Sequence, residues 1–424
     1  MKRFAQNILV SILAWQTRRL RSKNDFKVVA VAGSIGKTST KLAIAAVLGP
    51  NFRVRFQDGN YNHPITVPLV FFDLPLPSLY NPFAWTMTLL KIEYQLSQRY
   101  AYDVVVVELG TDFPGNLAEF KKYLHADIGV LTAITPEHME FFKDLDTVAK
   151  EELTIAKLSQ KLLVNLDLCD KKYIEKVKGI GYGVRRGADY QLAGMRRSPE
   201  GFDFMVSKQG TAFVAGTYDG VVQTQLFSMT AAVAVADMLG VDGPAILAAI
   251  AGIKPVSGRM QTLAGVKGST ILDDTYNASP EAARAALDTL YEIGAPQKIA
   301  LLGNMNELGD YSPVAHEGLG AYCDPAKLDL VVTLGPDANE YLAAAAEEAG
   351  CTVIRTDTPL EAAIEIKKVL KDNALVLIKG SQNKVFAEET VKKLLANPTD
   401  ASKLVRQSPD WIKKKQAWLG PLDD

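Results

Sequence analysis

Cysteine is scarce in this 424-residue chain, and both an excess of one charge sign and any long apolar run are missing. Cys169, Cys323 and Cys351 lie far apart and are odd in number, so we expect neither a disulfide framework nor a zinc knuckle, and a reducing cytosol is favoured. The 47 basic and 48 acidic residues nearly cancel, which argues against a broad surface for nucleic acid.

The N-terminal segment, residues 1–26, has a composition of its own. Its apolar run, Ile8 to Trp15, would cover ~12 Å as a helix, too little for a ~30 Å hydrocarbon core, and no small-residue cleavage site follows it. Two interpretations stay open: a helix packed on the body of the protein, or a basic helix of residues 1–23 on anionic lipid as a peripheral membrane contact. Its basic residues are Lys2, Arg3, Arg18, Arg19, Arg21 and Lys23.

The length exceeds what one hydrophobic core usually supports, so two or three domains are expected. Strand-like runs alternate with helical stretches, which predicts a mostly parallel α/β sheet with helices on both faces. The first strands are expected at Lys27–Ala32, Asp103–Glu108, Asp127–Ile134 and Leu162–Leu166, with helices at Trp85–Gln98, Met229–Leu239 and Pro244–Ala251. Glycine-punctuated short strands from Tyr182 to Gln225 indicate an antiparallel edge or a small side sheet.

The alternation restarts after residue 255 and predicts a second, Rossmann-like α/β domain over 256–400. Its strands are expected at Thr270–Asp273, Lys298–Leu302, Leu328–Leu334, Thr352–Arg355 and Ala374–Ile378, and its helices at Pro280–Glu292, Ala338–Ala349 and Leu360–Leu370. We expect the first domain to cover 27–255. The tail, 401–424, is expected either to pack as a helix or to stay loose.

One stretch, residues 28–40, has the strand–loop–helix pattern of a phosphate-binding loop. Its turn reads Gly33-Ser34-Ile35-Gly36-Lys37-Thr38, where glycines let backbone N–H groups approach phosphates, Lys37 reaches the terminal phosphates and the Thr38 hydroxyl is a Mg²⁺ ligand. The general pattern has a glycine five residues before Gly36, where this chain has Val31. The alternative is a strand-to-helix turn with an exposed lysine.

Polar residues end two of the strands in this half. Glu108 ends an apolar run of valines, and His138 follows the next strand. Since ligands bind at the carboxyl ends of parallel strands, we expect Glu108 to hold Mg²⁺ near the phosphate loop, with His138 at the same edge. The alternatives are a solvated strand end and a structural histidine.

Polar residues also stand at the ends of predicted strands in the second half of the chain. Asp273, Asp274 and Asn277 follow a strand, where ribose or base contacts are expected. Ser279 and Pro280 could instead serve only as the cap and first residue of the next helix. Lys379-Gly380-Ser381 ends another strand and could touch phosphate or carboxylate.

Eight motifs follow one another along the chain. They are Gly33-Ser34-Ile35-Gly36-Lys37-Thr38; Gly59-Asn60-Tyr61-Asn62 with Val67-Pro68-Leu69; Glu108-Leu109-Gly110; Pro136-Glu137-His138-Met139-Glu140-Phe141-Phe142; Gly258-Arg259-Met260; Asp273-Asp274-Thr275-Tyr276-Asn277-Ala278-Ser279-Pro280; Leu302-Gly303-Asn304-Met305-Asn306-Glu307-Leu308-Gly309; and Lys379-Gly380-Ser381. In this order they resemble the Mur ligase family, the ATP-dependent amide-forming enzymes of peptidoglycan assembly. The Asp-Asp-Thr-Tyr-Asn-Ala-Ser-Pro and Glu-Leu-Gly motifs look most like the branch that adds D-alanyl-D-alanine to UDP-N-acetylmuramoyl-tripeptide.

The resemblance implies a central P-loop ATPase-type domain, a C-terminal ligase domain and a reaction through an acyl phosphate. ATP phosphorylates a carboxylate of a muramyl peptide or other substrate, and the amine of an amino acid or dipeptide then displaces phosphate. It implies that closure of the two domains assembles the site.

The implied residues fall into four groups. Catalysis is assigned to Lys37, His138 and Glu152. ATP binding is assigned to Gly33, Ser34, Gly36, Lys37, Thr38, Ser39, Arg259, Asp274 and Asn277. Mg²⁺ binding is assigned to Thr38, Glu108 and His138, and substrate binding to Asn60, Asn62, Lys379 and Ser381.

The chain departs from the family pattern in four ways. The first predicted strand begins at Lys27, so we expect the N-terminal UDP-sugar domain to be missing. Glu152 stands where the family usually has a carbamylated lysine. Its helical spacing with Val148 and Ala149 predicts an inward position, so we expect it to replace the carbamate, with plain helix surface as the alternative.

The other two departures concern the nucleotide side and the second domain. The usual His-Asn pair of the adenine-side helix appears as Phe227-Ser228, and a further Asn as Ala231, so adenine contacts are expected to differ. The aspartate of the usual Leu-Gly-Asp-Met is Asn304.

Three functional hypotheses follow. The first is a cytoplasmic ligase of muramyl-peptide type. The second keeps the fold but changes the substrate, as in relatives that glutamylate folate or build amino-acid polymers. The third is a non-catalytic module that kept nucleotide affinity. Intact phosphate and metal residues favour a working ligase.

Overall fold

The computed structural model describes residues 2–57, 59, 61–78, 81–198 and 201–420, and it divides into two compact units. The first unit comprises Met1–Thr135, Phe141–Gly220 and Thr224–Lys254. The second comprises Pro136–Glu140, Val221–Gln223 and Pro255–Asp424. Asn60, one of the expected substrate-binding residues, lies outside the described residues.

The first unit is built on a nine-stranded sheet with the strand order β2-β3-β1-β4-β5-β6-β7-β8-β9. Strands from β2 to β7 run parallel, and β7 to β9 form an antiparallel meander, as the glycine-punctuated segment predicted. The strands are β1 (Lys27–Ala32), β2 (Val54–Arg55), β3 (Val104–Glu108), β4 (Ala126–Leu131), β5 (Ser159–Asn165), β6 (Ile180–Gly183), β7 (Tyr190–Ser198), β8 (Gly201–Lys208) and β9 (Thr211–Tyr218).

Nine helices of the described part of the chain lie wholly within this unit, and two more, α6 and α10, begin in segments of the second unit. Alternate residues of β1 and β3 face two separate hydrophobic cores because successive side chains of a strand point to opposite faces, so the predicted two-sided covering is confirmed. The helices are α1 (Lys2–Lys23), α2 (Lys37–Leu48), α3 (Val67–Phe71), α4 (Pro82–Leu96), α5 (Asn116–Glu119), α6 (Met139–Phe142), α7 (Leu145–Glu152), α8 (Ile155–Leu158), α9 (Lys171–Ile174), α10 (Gln223–Met238) and α11 (Gly243–Ile250).

Several predicted bounds differ from the observed ones for local reasons. The strand expected to continue to Ile134 stops at Leu131, because Thr132 turns to donate its hydroxyl to Ile35 O at 2.6 Å. The helix expected from Trp85 starts at Pro82, because the side chain of Asn81 accepts from Ala84 N and caps it. Cap geometry of this kind depends on backbone angles that periodicity does not encode.

The N-terminal helix α1 packs on the body of the first unit, which is the first of the two interpretations. Leu13 and Leu20 lie in the same core as Val28 of β1. Arg19 pairs with Glu93 of α4 at 2.7 Å, and Arg21 pairs with Asp127 of β4 at 2.5 Å. No described helix is long and apolar enough to cross a bilayer.

The second unit is a doubly wound domain with a six-stranded sheet of order β10-β11-β15-β12-β13-β14. Only β10 is antiparallel to its neighbour among these strands. The strands are β10 (Gln261–Ala264), β11 (Thr270–Asp274), β12 (Lys298–Gly303), β13 (Leu330–Leu334), β14 (Val353–Thr356) and β15 (Leu375–Lys379).

The helices of the second unit match the expected positions, with two refinements. The helix expected over Ala338–Ala349 opens with a π-helical turn, Ala338–Leu342. The tail forms a helix, which was one of its two alternatives. The helices are α12 (Pro280–Glu292), α13 (Ser312–Gly320), α14 (Ala343–Glu348), α15 (Pro359–Val369), α16 (Glu388–Leu394) and α17 (Pro409–Leu419).

Candidate functional site

The turn between β1 and α2 has a backbone that only glycine adopts easily at two places. Gly33 has φ 131°, and a Cβ there would lie 2.2 Å from Thr132 Oγ1. Gly36 has φ 82° at the start of α2. The turn therefore brings the N-terminus of a 12-residue helix to the carboxyl end of the sheet, where backbone N–H groups and the helix dipole favour an anion.

Lys37 folds over this turn. Its ammonium donates to Gly33 O at 2.5 Å and Ser34 O at 3.2 Å. The Ser34 hydroxyl accepts from Thr135 N at 2.9 Å, which fixes the turn against the end of β4. Ser39 is half-buried in the first turn of α2. The loop thus places one cation at the position that phosphate would approach.

Glu108, at the end of β3, is the centre of a buried polar cluster. Its carboxylate accepts from Thr38 Oγ1 at 2.9 Å and Asn62 Nδ2 at 3.3 Å, and Lys41 Nζ lies 3.4 Å away. Glu108 is 4% exposed and Lys41 is 2% exposed. The structure therefore brings three of the predicted residues, Thr38, Asn62 and Glu108, together at the mouth of the loop.

This oxygen-rich place fits a Mg²⁺ ion. Mg²⁺ prefers hard oxygen ligands and usually combines one or two protein ligands with substrate phosphates and water. A hydroxyl and a carboxylate, those of Thr38 and Glu108, converge here. Within the described ranges no group of three or more His, Cys, Asp or Glu side chains is arranged to hold a metal, so phosphate and water would have to complete the coordination.

Glu152 is 1% exposed at the end of α7, which confirms its predicted inward position. Burial, together with the charge of Glu152, raises the pKa of Cys169 to about 12. The preceding residue, Glu151, accepts from Gly115 N at 2.7 Å, Leu117 N at 2.6 Å and Thr111 Oγ1 at 3.2 Å. It thereby holds the loop that follows the Glu108-Leu109-Gly110 motif.

His138 belongs to the second unit in the structure. Its Nδ1 lies 2.6 Å from Glu307 Oε2, and its backbone φ is 51°. Left-handed backbone at a non-glycine residue is uncommon and concentrates at functional sites. This contact joins two of the family-like motifs, those around residues 138 and 307.

A buried histidine supports the loop that contains Glu307. His316 is 0% exposed; Met305 N donates to its Nε2 at 3.0 Å, and its Nδ1 lies 2.8 Å from Ser312 O. Desolvation lowers the pKa of His316, so the neutral ring is favoured. Asn304 accepts from Ala338 N at 2.9 Å, so the residue that replaces the family aspartate anchors the π-helical turn.

The predicted nucleotide residues of the second unit lie around the end of β11 and the loop that follows it. Asp274 accepts from Lys379 Nζ at 2.5 Å and Met260 N at 3.1 Å, and Lys379 also donates to Asn277 O at 3.1 Å. The guanidinium of Arg259 lies 4.1 Å from the ring centroid of Tyr276, a cation–π contact.

Asp273 and Ser381 lie beneath this loop. Burial raises the pKa of Asp273 to about 6, while Thr275 donates to its Oδ1. Ser381 is 0% exposed; its hydroxyl donates to Ala278 O at 3.2 Å and accepts from Asn306 N at 3.0 Å. The Ser279 hydroxyl accepts from Ala282 N and caps α12, which is the helix-cap role given above as the alternative for this residue.

The departures on the adenine side lie inside α10, where Phe227, Ser228 and Ala231 are buried. The Ser228 hydroxyl lies 3.0 Å from Thr40 Oγ1 of α2, so it links that helix to the one that follows the phosphate loop. The altered residues therefore serve packing and a buried hydrogen bond.

Three residues that matter in this geometry were missed by sequence reasoning: Lys41, Glu151 and His316. Lys41 follows Lys37 by one helical turn on α2, and that spacing places both on one side of the helix. A lysine in an amphipathic helix is usually exposed, so the spacing alone gave no reason to select it.

Comparison with known proteins agrees with this picture. Residues 31–228 match the family model described as the Mur ligase middle domain, and residues 258–382 match the one described as the Mur ligase, glutamate ligase domain. The UDP-N-acetylmuramoyl-tripeptide–D-alanyl-D-alanine ligase of Bacillus subtilis (strain 168) is 26% identical over 385 residues, which cover 88% of this chain and 76% of that protein.

Two solved structures are similar along most of the chain. MurF ligase from Thermotoga maritima, determined in complex with ADP, has a TM-score of 0.73 and 25% identity over 91% of this chain and 83% of its own. MurF from Acinetobacter baumannii has a TM-score of 0.74 at 22% identity over 92% of this chain and 80% of its own. The second likeness concerns the fold alone.

Proposed function

Because this chain belongs to the Mur ligase family, we propose that it is an ATP-dependent, ADP-forming ligase that joins D-alanyl-D-alanine to a muramyl tripeptide in peptidoglycan synthesis. The observation that carries the proposal is the convergence of Thr38, Asn62 and Lys41 on buried Glu108 beside the phosphate loop. A solvated strand end would not bury a carboxylate together with a lysine.

The residues of the first unit have the roles that phosphoryl transfer needs. The carboxylate of the muramyl tripeptide takes the γ-phosphoryl of ATP to form an acyl phosphate and ADP, and the dipeptide amine then displaces phosphate. Lys37 would leave the loop carbonyls to meet the charge on the transferred phosphoryl. Thr38 and Glu108 would hold Mg²⁺, whose chemistry is to neutralise phosphate charge. Asn60 and Asn62 are proposed substrate contacts.

In the second unit, Arg259, Asp274 and Asn277 are proposed to contact the nucleotide, and His138 to act in metal binding with Glu307 as its partner. Lys379 holds Asp274, so its proposed substrate contact would compete with that ion pair. Direct substrate contact by Ser381 stays a prediction, since its hydroxyl already bonds two backbone groups.

Glu152 is proposed to replace the carbamylated lysine of the family. A carbamylated lysine and a glutamate both end in an anionic CO₂ group. The buried carboxylate of Glu152 can therefore serve the same metal or lysine partner. Glu152→Gln is expected to lower kcat, and Glu152→Lys to recover activity only when bicarbonate is supplied for carbamylation. Full activity of Glu152→Gln would show that this carboxylate has no such role.

The proposed function is tested by phosphate release from ATP and Mg²⁺, with UDP-muramoyl-tripeptide and D-alanyl-D-alanine supplied together and each omitted in turn. Wild type is expected to release phosphate only when both are present, and Lys37→Ala to release none. Nucleotide binding without stimulated release would reject this substrate pair and point to a non-muramyl acceptor. Failure to bind any nucleotide would reject the ligase.

A reducing cytoplasm is the proposed location, based on three buried free cysteines. Peripheral membrane contact through residues 1–23 stays a prediction. Arg19 and Arg21 are engaged by Glu93 and Asp127, so these two charges would contribute less to lipid binding, whereas Trp15 on the same helix is 49% exposed. Wild-type protein that does not sediment with anionic vesicles would contradict it.

A further inference from the structure

Three consecutive backbone carbonyls in the loop after β11 each accept a hydrogen bond from a buried cation. Arg406 donates to Thr275 O at 2.5 Å and to Tyr276 O at 3.0 Å. Lys379 donates to Asn277 O at 3.1 Å. Lys379 belongs to the predicted site, whereas Arg406 comes from the C-terminal tail, which no motif includes.

Arg406 is itself fixed by buried charges. Its Nε and Nη2 donate to the two carboxylate oxygens of Glu388 at 2.8 and 2.7 Å, with side-chain exposures of 6% and 0%. Lys415 of α17 is 0% exposed; its Nζ lies 3.3 Å from Glu388 and contacts Glu389. A bidentate arginine–carboxylate pair of this kind fixes the orientation of the guanidinium as well as contributing binding energy.

The residue before Arg406 supports the neighbouring Gly258-Arg259 motif. A Cβ on Gly258 would lie 2.8 Å from Val405 Cγ1 and 2.9 Å from Tyr276 N, and Gly258 has φ 65°. Tyr276 N donates to Gly258 O at 2.9 Å. The tail therefore contacts both segments that present Arg259 and Tyr276, whose cation–π pair stands at the proposed nucleotide site.

We propose that Arg406 and Lys415 are positioning residues for nucleotide binding, an inference that rests on the proposed function. Arg406 fixes the loop of Asp274 and Asn277 through its carbonyls, and Lys415 fixes Glu388, which orients Arg406. Loss of Arg406 removes the donor to two loop carbonyls and leaves Glu388 with Lys415 alone, whereas loss of Lys415 leaves Glu389 without its cation and Glu388 with Arg406 alone. Either change loosens the loop, so we expect nucleotide affinity to fall.

The test compares Arg406→Gln and Lys415→Met with wild type in the full-length protein. Nucleotide affinity is measured by calorimetry with ADP and Mg²⁺, and kcat and KM are measured for ATP and for muramyl tripeptide. We expect ADP affinity to fall and KM for ATP to rise roughly 10- to 30-fold, with kcat and KM for the tripeptide changed less than about twofold. The matched control is Lys403→Gln, since Lys403 in the same tail pairs on the surface with Asp400 and should leave every parameter unchanged.

Arg406→Lys guards against a variant that does not fold. It keeps the positive charge beside Glu388 but cannot donate to both carbonyls, so we expect an intermediate loss of ADP affinity. Wild-type ADP affinity in folded Arg406→Lys or Arg406→Gln would overturn the inference, as would equal losses in kcat and in both KM values. Wild type that binds no nucleotide would overturn the proposed function as well, whereas wild type that binds while the variants are unaffected would overturn this inference alone.

Discussion

At the scale of single residues, the pair of Lys41 and Glu108 is the most demanding feature of the first unit, because both charges are almost fully buried. Lys41→Met keeps the length of the side chain but removes the cation that lies 3.4 Å from the buried carboxylate of Glu108. We expect a loss of about 3–5 kcal/mol in the free energy of unfolding, measured by urea titration.

The double variant with Glu108→Gln separates charge from packing. Removing both charges should restore part of that loss, because no uncompensated ion is then buried. Arg53→Gln serves as the control, since Arg53 pairs with Asp103 at an exposed position and should change stability little. A Lys41→Met protein as stable as wild type would contradict the account of this cluster.

His316 predicts a dependence of stability on pH. Its pKa is lowered in the folded protein, so the unfolded state binds more protons below the ordinary value of about 6.5. The stabilisation from the neutral ring is therefore complete above that value and is lost as pH falls towards the lowered pKa. Asp273, with a pKa raised to about 6, acts in the opposite direction over part of this range.

The measurement for His316 is thus a difference between two proteins. The unfolding free energy of wild type minus that of His316→Gln should decrease from pH 7 to pH 5, since glutamine can accept from Met305 N but does not titrate. If this difference stays constant from pH 7 to pH 5, His316 does not cause the pH dependence of stability.

At the scale of elements, sequence patterns located most strands and helices, and misplaced those ends that depend on side-chain contacts. The strand Lys27–Ala32 and the helix Pro280–Glu292 lie where apolar periodicity and the Ser279-Pro280 start placed them. The early end of β4 depends on the contact between Thr132 and Ile35, which are far apart in the sequence. Periodicity contains no information about that contact.

The packing of α1 gives a prediction for this scale. Leu13 is completely buried in the core beneath α1, whereas Ile8 on the same helix is 47% exposed. Leu13→Ala is expected to lower the unfolding free energy by about 2–5 kcal/mol, and Ile8→Ala to have little effect. Equal, small effects in thermal or urea unfolding would mean that α1 contributes little to the fold.

For the whole molecule, the motif order indicated the family, and the structure adds how each unit supports its motifs. Thr38, Asn62 and Glu108 could be selected from the sequence because they stand in recognisable motifs. Lys41, Glu151 and Arg406 could not, because their importance comes from burial and from partners distant in the chain. A charged residue in a helix or tail is normally interpreted as solvent-exposed.

The central claim is ligation through an acyl phosphate, and oxygen transfer tests it most directly. Muramyl tripeptide labelled with ¹⁸O in its terminal carboxylate would be turned over with ATP, Mg²⁺ and D-alanyl-D-alanine, and the product and phosphate analysed by mass spectrometry. The account predicts one ¹⁸O atom in each released phosphate, with labelled phosphate and amide product formed in equal amounts. It predicts neither product with Lys37→Ala. Amide formation with unlabelled phosphate would contradict the acyl phosphate, and ATP binding without any amide would contradict the ligase.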